Sequence, residues 1–190
     1  YESSIENPNR RFFSMLGALV RGRICIGGGA ALATRRALSI ATLYAQQRTQ
    51  FRHPGIEDET PLFDYLAHQR KLLPAIARTY ALGFAQNDLF DSFARVASNP
   101  DHQPKEQRAL ETLAAGLKAL NTEFANATVQ TCREACGGAG YMSENRLTQL
   151  RADTDVFATF EGDNTVLLQL VAKGVLTNYR EVWGGLDRLG

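Results

Sequence analysis

The fold class is decided by residues 12–48, which read FFSMLGALVRGRICIGGGAALATRRALSIATLYAQQR and contain no proline. Apolar residues recur along this stretch with roughly helical spacing, which predicts one long helix. The recurring residues are Leu16, Leu19, Val20, Ile24, Leu38, Ala41, Leu43 and Tyr44. Gly27, Gly28 and Gly29 interrupt it, and each glycine costs about 1 kcal/mol relative to alanine in an exposed helix interior. We therefore expect another helix to pack closely against them.

Similar periodicity continues through the rest of the chain. The predicted segments are a connection at 51–61, a second long helix from Pro61 to Val96, a break at 98–106, a third long helix at 107–136, a short helix at 145–151 and a last helix ending near Tyr179. Pro74 is predicted to kink the second helix. No alternation of period two persists, so the fold class is all-α. Long helices with short connections predict one domain over residues 1–190, an antiparallel up-and-down helical bundle.

Composition and charge narrow the possible functions. The chain has 190 residues, of which 44% are hydrophobic, and this is enough to bury a core. Lys and Arg number 21 against 20 Asp and Glu, and the net charge of +1 gives no electrostatic footprint for nucleic acid. No apolar run approaches the roughly 20 residues that span a bilayer, and the opening YESS is not a signal peptide. We therefore expect a cytoplasmic protein without a nucleic-acid partner or a transmembrane segment.

The cysteines and histidines show no pattern of a metal or redox site. Cys25, Cys132 and Cys136 form an odd set without zinc spacing. A role as small buried apolar residues is favoured for all three over a redox role. The three histidines are widely separated in the chain, so no metal site is expected.

A candidate general base lies within residues 159–166, TFEGDNTV, immediately before the last helical pattern. Glu161 follows Phe160, and a carboxylate packed beside an aromatic ring loses solvation, which suits it to remove a weakly acidic C–H proton. The glycine that follows permits close approach of another group. Asp163 or Asn164 caps the helix, whose N–H groups would then face an anionic cofactor. The alternative is a surface glutamate or a second cap.

Three separated motifs resemble the acyl-CoA oxidase and dehydrogenase family. Residues 44–51, YAQQRTQF, resemble its Tyr-Ala-x-x-Arg-x-x-Phe signature at the end of the first long helix of its C-terminal domain. Residues 132–141, CREACGGAGY, resemble the oxidase form of its Gly-Gly-x-Gly turn. Glu161 follows the first glycine of that turn by 24 positions, which fits the family's catalytic glutamate. Arg23 precedes Arg48 by 25 positions, where the family often has an arginine near the active site.

The resemblance implies FAD-dependent α,β-desaturation of an acyl-CoA thioester, with Glu161 as the base that removes the α proton. It also implies that Arg48 contacts the FAD pyrophosphate, that Phe51 packs near the cofactor, and that Gly137 and Gly138 allow backbone approach. In this family such contacts commonly reach the flavin of a partner subunit. A homodimer is therefore implied.

The resemblance implies a role in the site less directly for four further residues. Arg23 is implied to lie near the substrate. Gly162, Asn164 and Thr165 are candidates either for cofactor contacts or for the start of the last helix. From the residues alone, Arg48 is more typical of a solvated cation at a helix end, and Arg23 of a surface residue.

Three functions remain open. The first, which the motifs favour, is part of an acyl-CoA oxidase that makes trans-2-enoyl-CoA in fatty-acid β-oxidation and reduces oxygen to hydrogen peroxide. The second is an acyl-CoA dehydrogenase that passes electrons to an electron-transfer flavoprotein, and the third is a non-catalytic helical assembly domain. The chain lacks the family's β-domain and N-terminal helical patterns, so we expect a C-terminal piece of a longer flavoenzyme without turnover of its own. For a eukaryotic source, the peroxisome is the alternative to the cytoplasm.

Overall fold

The computed structural model describes residues 3–99 and 101–183, and these form an all-α fold, as predicted. The α-helices are α1 (Pro8–Gly17), α2 (Leu19–Gln47), α3 (Leu66–Ser98), α4 (Pro104–Ala135), α5 (Leu147–Asp155) and α6 (Asn164–Trp183). Short 3-10 turns lie at Leu62–Asp64, Gly137–Tyr141, Ser143–Asn145 and Val156–Ala158. Within the described residues, β-type pairing is limited to an isolated bridge between Thr49 and Pro61. Residues 1–2, 100 and 184–190 of the predicted domain lie outside the described residues.

Two core clusters fix the directions of the three longest described helices. In the first cluster, Ala45 of α2 packs with Leu72 of α3 and Cys132 of α4. The second cluster contains Val20, Ile24, Leu89, Val96, Leu110, Ala114 and Leu117. Leu72 lies near the start of α3, whereas Ala45 and Cys132 lie near the ends of α2 and α4, so α3 runs antiparallel to both. The predicted up-and-down arrangement is confirmed for these helices.

Helix α6 runs antiparallel to α4 and extends the bundle. At the start of α6, Asn164 Nδ2 donates to Thr122 Oγ1 at 3.0 Å. Near its end, Arg108 Nη2 donates to Glu181 Oε1 at 2.7 Å. As α6 runs from Asn164 to Glu181, its contacts on α4 run back from Thr122 to Arg108. The short segment before α6 therefore lies against the middle of α4.

The prediction of one helix over residues 12–48 is wrong at one point. The chain leaves the α-helical pattern at Ala18, between α1 and α2. The Ala18 N–H donates to the Met15 carbonyl at 3.1 Å, an i→i−3 bond that tightens the turn. Gly17 precedes this turn, and glycine has low helix propensity. The apolar periodicity continues across the break, which is why the pattern did not reveal it.

Helix α4 begins three residues before its predicted start because its N-terminus is capped. The Gln103 N–H donates to Glu106 Oε2 at 3.0 Å, and the Gln103 side chain accepts from the Glu106 backbone, which completes a capping box. Pro104 occupies the first helical position, where its missing N–H has no intrahelical partner to lose.

Helix α3 begins at Leu66 rather than at the predicted Pro61. The intervening residues form a 3-10 turn in which the Asp64 N–H donates to the Pro61 carbonyl at 3.0 Å. The helix then continues without a break past Pro74, and the kink expected there stays a prediction.

Gly27, in the middle of α2, lies close to both α3 and α4. A Cβ on Gly27 would stand 3.1 Å from Gln86 Oε1 of α3 and 3.5 Å from the Lys118 Cα of α4. Gln86 donates through Nε2 to the Ile24 carbonyl at 3.1 Å and accepts from Asn121 Nδ2 at 3.0 Å. The expected close packing is therefore confirmed at Gly27 but not at Gly29, and a buried polar network ties the three helices together at this level.

Cys132 and Cys136 are buried, as predicted, whereas Cys25 is exposed. The side chains of consecutive helical residues point about 100° apart. Ile24 faces the core, so the side chain of its neighbour Cys25 points away from the core. Burial raises the pKa of Cys132 to about 12 and that of Cys136 to about 11, so both thiols stay protonated at neutral pH.

Among the described residues, no cluster of three His, Cys, Asp or Glu side chains could hold a metal ion. No helix in the same part of the chain is long and apolar enough to cross a bilayer.

Alanine substitutions at Gly27 and Gly29 are expected to change the free energy of unfolding in opposite directions. Gly29→Ala gains about 1 kcal/mol of helix propensity, and its Cβ would meet only Phe157 Cε2 at 3.9 Å, an ordinary contact. Gly27→Ala gains the same propensity but presses on Gln86, whose hydrogen bonds hold it in place, so we expect a net loss of about 1 kcal/mol. Urea unfolding followed by far-UV circular dichroism measures both variants. Equal effects would contradict the close packing at Gly27.

Candidate active site

The loop that carries Glu161 joins the 3-10 turn at Val156–Ala158 to α6. Its backbone is left-handed at two successive residues, with φ of 58° at Glu161 and 114° at Gly162. Glycine adopts this conformation freely, whereas a residue with a Cβ does so at a cost of about 1–2 kcal/mol. Such a conformation persists only where surrounding contacts determine it, and it is common at functional sites.

The carboxylate of Glu161 lies directly against α2 at Gly22. A Cβ built on Gly22 would overlap the carboxyl carbon and both carboxylate oxygens, so glycine leaves the space that the half-buried Glu161 occupies. Gly22 was not among the predicted site residues. Its one signal in the sequence is a glycine inside an apolar helical pattern, which usually has a packing or functional reason.

Phe160 does not provide the shelter that was predicted for the carboxylate, because its side chain is 53% exposed. The left-handed turn at Glu161 sends the two neighbouring side chains in different directions. Glu161 lies against Gly22 of α2, whereas Phe160 lies at the surface. The group that lies against the carboxylate is therefore the backbone of α2 at Gly22, not the predicted aromatic ring.

Arg23, which was predicted to lie near the active site, is beside the Glu161 loop. Its Nε–H donates to the Glu161 carbonyl at 3.3 Å. Burial lowers the pKa of Arg23, while the carboxylates of Glu111 and Glu161 raise it. Because a guanidinium keeps its proton in proteins, Arg23 places a positive charge next to the candidate base. Its contact with substrate stays a prediction.

Lys118 of α4 also contacts the loop and is fully buried. Its Nζ donates to the Gly162 carbonyl at 2.7 Å, to Asn164 Oδ1 at 2.9 Å and to the Ala158 carbonyl at 3.2 Å. Burial lowers the pKa of this ammonium, and neighbouring charges of both signs act on it in opposite directions. No sequence signal distinguished Lys118, because a single lysine in a helical pattern is almost always a solvated residue.

Asp163, rather than Asn164, caps α6. Asp163 Oδ1 accepts from the Thr165 N–H at 2.9 Å, and the Asp163 carbonyl accepts from the Leu167 N–H at 2.9 Å. The Asn164 side chain points into the bundle, where Nδ2 donates to Thr122 Oγ1 at 3.0 Å. The amide of Asn164 is thus engaged by the protein itself, and the cofactor contacts predicted for this segment stay predictions.

The other predicted cofactor residues lie at the opposite end of the bundle. Arg48 follows the last residue of α2, and both Arg48 and Phe51 are exposed, Phe51 by 68%. Gly137 begins the 3-10 turn that follows α4. The core cluster that contains Ala45 and Cys136 brings these two helix ends together.

This end of the bundle offers groups that suit a phosphate-bearing cofactor. A Cβ on Gly137 or Gly138 would meet no atom within 4 Å, so the backbone there is open to approach. Within the described residues, the Arg48 guanidinium forms no ion pair, and arginine donates well to phosphate oxygens. The exposed ring of Phe51 adds an apolar surface. The residues present therefore fit the pyrophosphate portion of FAD.

The structure does not bring the two groups of predicted residues together within one chain. Glu161 lies beside Arg23 near the start of α2, whereas Arg48 lies at its end. At a rise of 1.5 Å per helical residue, the 25 positions between the two arginines correspond to about 37 Å. One chain thus presents the candidate base at one place and the candidate phosphate-binding groups at another.

Comparisons with known proteins agree with the motifs. Residues 16–176 match the acyl-CoA oxidase, C-alpha1 domain family. The chain is 40% identical over 185 residues to peroxisomal acyl-coenzyme A oxidase 2 of Arabidopsis thaliana, which covers 97% of this chain and 26% of that protein. It is 36% identical over 182 residues to human peroxisomal acyl-coenzyme A oxidase 3, with coverage of 93% and 26%. The chain spans about a quarter of the length of these curated relatives.

Solved structures of oxidases share the fold. Acyl-CoA oxidase-1 of Caenorhabditis elegans, complexed with FAD and ATP, superposes with a TM-score of 0.82 at 28% identity over 90% of this chain and 27% of that chain. Acyl-CoA oxidase1 of Yarrowia lipolytica superposes with a TM-score of 0.78 at 34% identity over 92% and 27%. With the motifs and the helical bundle, these matches establish that the chain belongs to the acyl-CoA oxidase family as its C-terminal C-alpha1 domain.

Proposed function

We propose that this chain supplies the catalytic base of an FAD-dependent acyl-CoA oxidase. The whole protein converts acyl-CoA to trans-2-enoyl-CoA in fatty-acid β-oxidation and reduces oxygen to hydrogen peroxide. The observation that carries the proposal is the setting of Glu161, whose left-handed backbone directs its carboxylate against Gly22 and beside the cation of Arg23. Membership of the oxidase family supports the substrate class.

Glu161 acts as a general base toward the carbon next to the thioester carbonyl. Its carboxylate accepts the α proton, and the electron pair of that C–H bond forms the new double bond as hydride departs from the β carbon. Because a thioester α proton is only weakly acidic, the step needs hydrogen-bond donors for the developing enolate and a pocket that excludes water. FAD, when bound, supplies the redox chemistry by accepting the hydride and passing two electrons to oxygen.

The residues at the far end of the bundle bind FAD. Arg48 donates charge-assisted hydrogen bonds to the pyrophosphate, Gly137 and Gly138 let the backbone approach it, and Phe51 packs beside the cofactor. This end is about 37 Å along α2 from Glu161. Its residues therefore serve an FAD whose flavin lies beside the base of a second subunit, and the active protein is a homodimer in which each chain contributes to two sites.

The peroxisome is the proposed compartment. The Arabidopsis and human relatives are both named as peroxisomal oxidases, which favours the peroxisomal alternative over the cytoplasm. An oxidase that releases hydrogen peroxide is also consistent with a compartment separated from the cytosol.

Anaerobic addition of a mid-chain acyl-CoA to the full-length protein is expected to bleach the flavin absorbance. Admission of air should restore the oxidised spectrum rapidly and release peroxide, because oxygen is the proposed acceptor. Absorbance spectroscopy and a peroxidase-coupled assay measure the two steps. Bleaching that persists in air would instead indicate a dehydrogenase that uses an electron-transfer flavoprotein, and an absence of bleaching would indicate a non-catalytic assembly domain.

Glu161→Gln in the full-length protein is expected to lower the rate constant of flavin bleaching by about a hundredfold to ten-thousandfold. The amide keeps the size of the side chain but cannot accept the α proton, and a general base contributes a factor of this order. Stopped-flow absorbance measures the rate. Glu123→Gln, at an exposed glutamate of α4, is the matched control. Wild-type bleaching by Glu161→Gln would remove Glu161 as the base.

Gly22→Ala is expected to reduce bleaching while the protein stays folded. The new Cβ would occupy the position of the Glu161 carboxylate, and this flexible end of a side chain swings away at little cost. A displacement of about 1 Å can lower a rate a hundredfold, whereas alanine adds about 1 kcal/mol of helix propensity. Gly29→Ala on the same helix is the control. An unchanged rate for Gly22→Ala would show that the carboxylate does not act from this position.

A further inference from the structure

The ammonium of Lys118 is a buried cation without a carboxylate partner. The side chain is 0% exposed. Among residues 3–99 and 101–183, no carboxylate forms a salt bridge with it. Burying an unpaired ammonium is strongly unfavourable unless hydrogen bonds compensate for its lost hydration. An apolar residue would fill the same volume without this cost, so the groups that Lys118 contacts explain its presence better than packing does.

All three N–H groups of the Lys118 ammonium donate hydrogen bonds to the segment around Glu161. The acceptors are the Gly162 carbonyl at 2.7 Å, Asn164 Oδ1 at 2.9 Å and the Ala158 carbonyl at 3.2 Å. An ammonium has three donors and no acceptor, so its hydrogen-bonding capacity is complete. The acceptors lie both before and after Glu161 in the chain, and none belongs to α4, the helix that carries Lys118.

These bonds hold the backbone on both sides of the left-handed turn. Lys118 bonds the carbonyls of Ala158 and Gly162 from α4, while Arg23 bonds the Glu161 carbonyl from α2 at 3.3 Å. The turn is therefore clamped between two helices by two cationic side chains. A non-glycine residue remains left-handed only where such contacts determine it.

We propose that Lys118 is a positioning residue, which clamps the Glu161 loop so that the carboxylate stays against Gly22 in the geometry for proton removal. Lys118 acts through the backbone of the loop and through Asn164, not through contact with substrate. This inference rests on the proposed role of Glu161 and adds the residue that holds the base in place.

The test uses the full-length protein with bound FAD and compares Lys118→Met and Lys118→Arg with wild type. The readout is the rate constant of anaerobic bleaching by acyl-CoA, measured over a range of acyl-CoA concentrations. Lys118→Met should lower this rate constant about tenfold to a hundredfold, with little change in the half-saturating acyl-CoA concentration. Lys173→Met, at an exposed lysine of α6, is the matched control.

The kinetic pattern separates positioning of the base from a general structural role. Loss of a positioning residue should lower the rate constant while the half-saturating acyl-CoA concentration and the FAD content stay near those of wild type, because neither binding step depends on where the carboxylate lies. Lys118→Arg keeps the charge and several N–H donors, so it should recover part of the rate constant that Lys118→Met loses, although the guanidinium has a different shape.

Two results would overturn the inference: a Lys118→Met rate within twofold of wild type, or a lowered rate accompanied by loss of FAD or by an equal rise in the half-saturating acyl-CoA concentration. FAD content and far-UV circular dichroism establish that each variant is folded. If Lys118→Met does not fold, Lys118→Gln, which keeps a neutral donor, replaces it with the same expected loss of rate. Glu161→Gln is measured in parallel. Normal bleaching by Glu161→Gln defeats the proposed function itself, whereas inactive Glu161→Gln with unaffected Lys118→Met defeats only the positioning role.

Discussion

Close approach of α2 and α4 is the constraint on which the rest of the structure depends. The small residues that α2 buries are Gly27, Ala30, Ala31, Thr34, Ala37, Ala41 and Ala45. The small residues that α4 buries are Ala114, Ala115, Ala119, Thr122, Ala125, Thr128, Cys132 and Ala135. Small side chains let helix backbones come near each other, and a Cβ on Gly27 would lie only 3.5 Å from the Lys118 Cα. Gly22 and Arg23 on one helix and Lys118 on the other are thereby near enough to hold a single loop.

The strained backbone of that loop and the buried ammonium of Lys118 on α4 are each unfavourable alone, and they offset each other. Glu161 has a left-handed backbone, which costs about 1–2 kcal/mol, and Lys118 carries its ammonium into the interior. The turn presents carbonyl oxygens that satisfy the ammonium, and the ammonium in return holds the turn. A hydrogen bond to a charged group contributes about 1.5–3 kcal/mol, and the three bonds of Lys118 act against both the strain of the turn and the lost hydration of the ammonium. The loop therefore keeps its conformation through contacts made by the chain itself.

Sequence patterns predicted the features that are local or that belong to a motif. Helical periodicity predicted the long helices, but it missed the break at Ala18 because one short turn leaves the apolar pattern intact. The motif resemblance picked out Glu161, whereas Gly22 and Lys118 were missed. Their roles depend on contacts between distant parts of the chain, such as the 44 positions between Lys118 and Gly162. Composition and residue spacing do not distinguish a buried lysine from a solvated one.

The order of the elements has a consequence for how the protein is made. The helices α2, α3 and α4 all precede the Glu161 loop in the chain. A ribosome adds about 5–20 residues per second from the N-terminus, so the groove between α2 and α4 is synthesised seconds before the segment that fills it. The loop therefore emerges after the helices that carry Gly22, Arg23 and Lys118 and before α6, so the groups that contact it are already part of the chain when it appears.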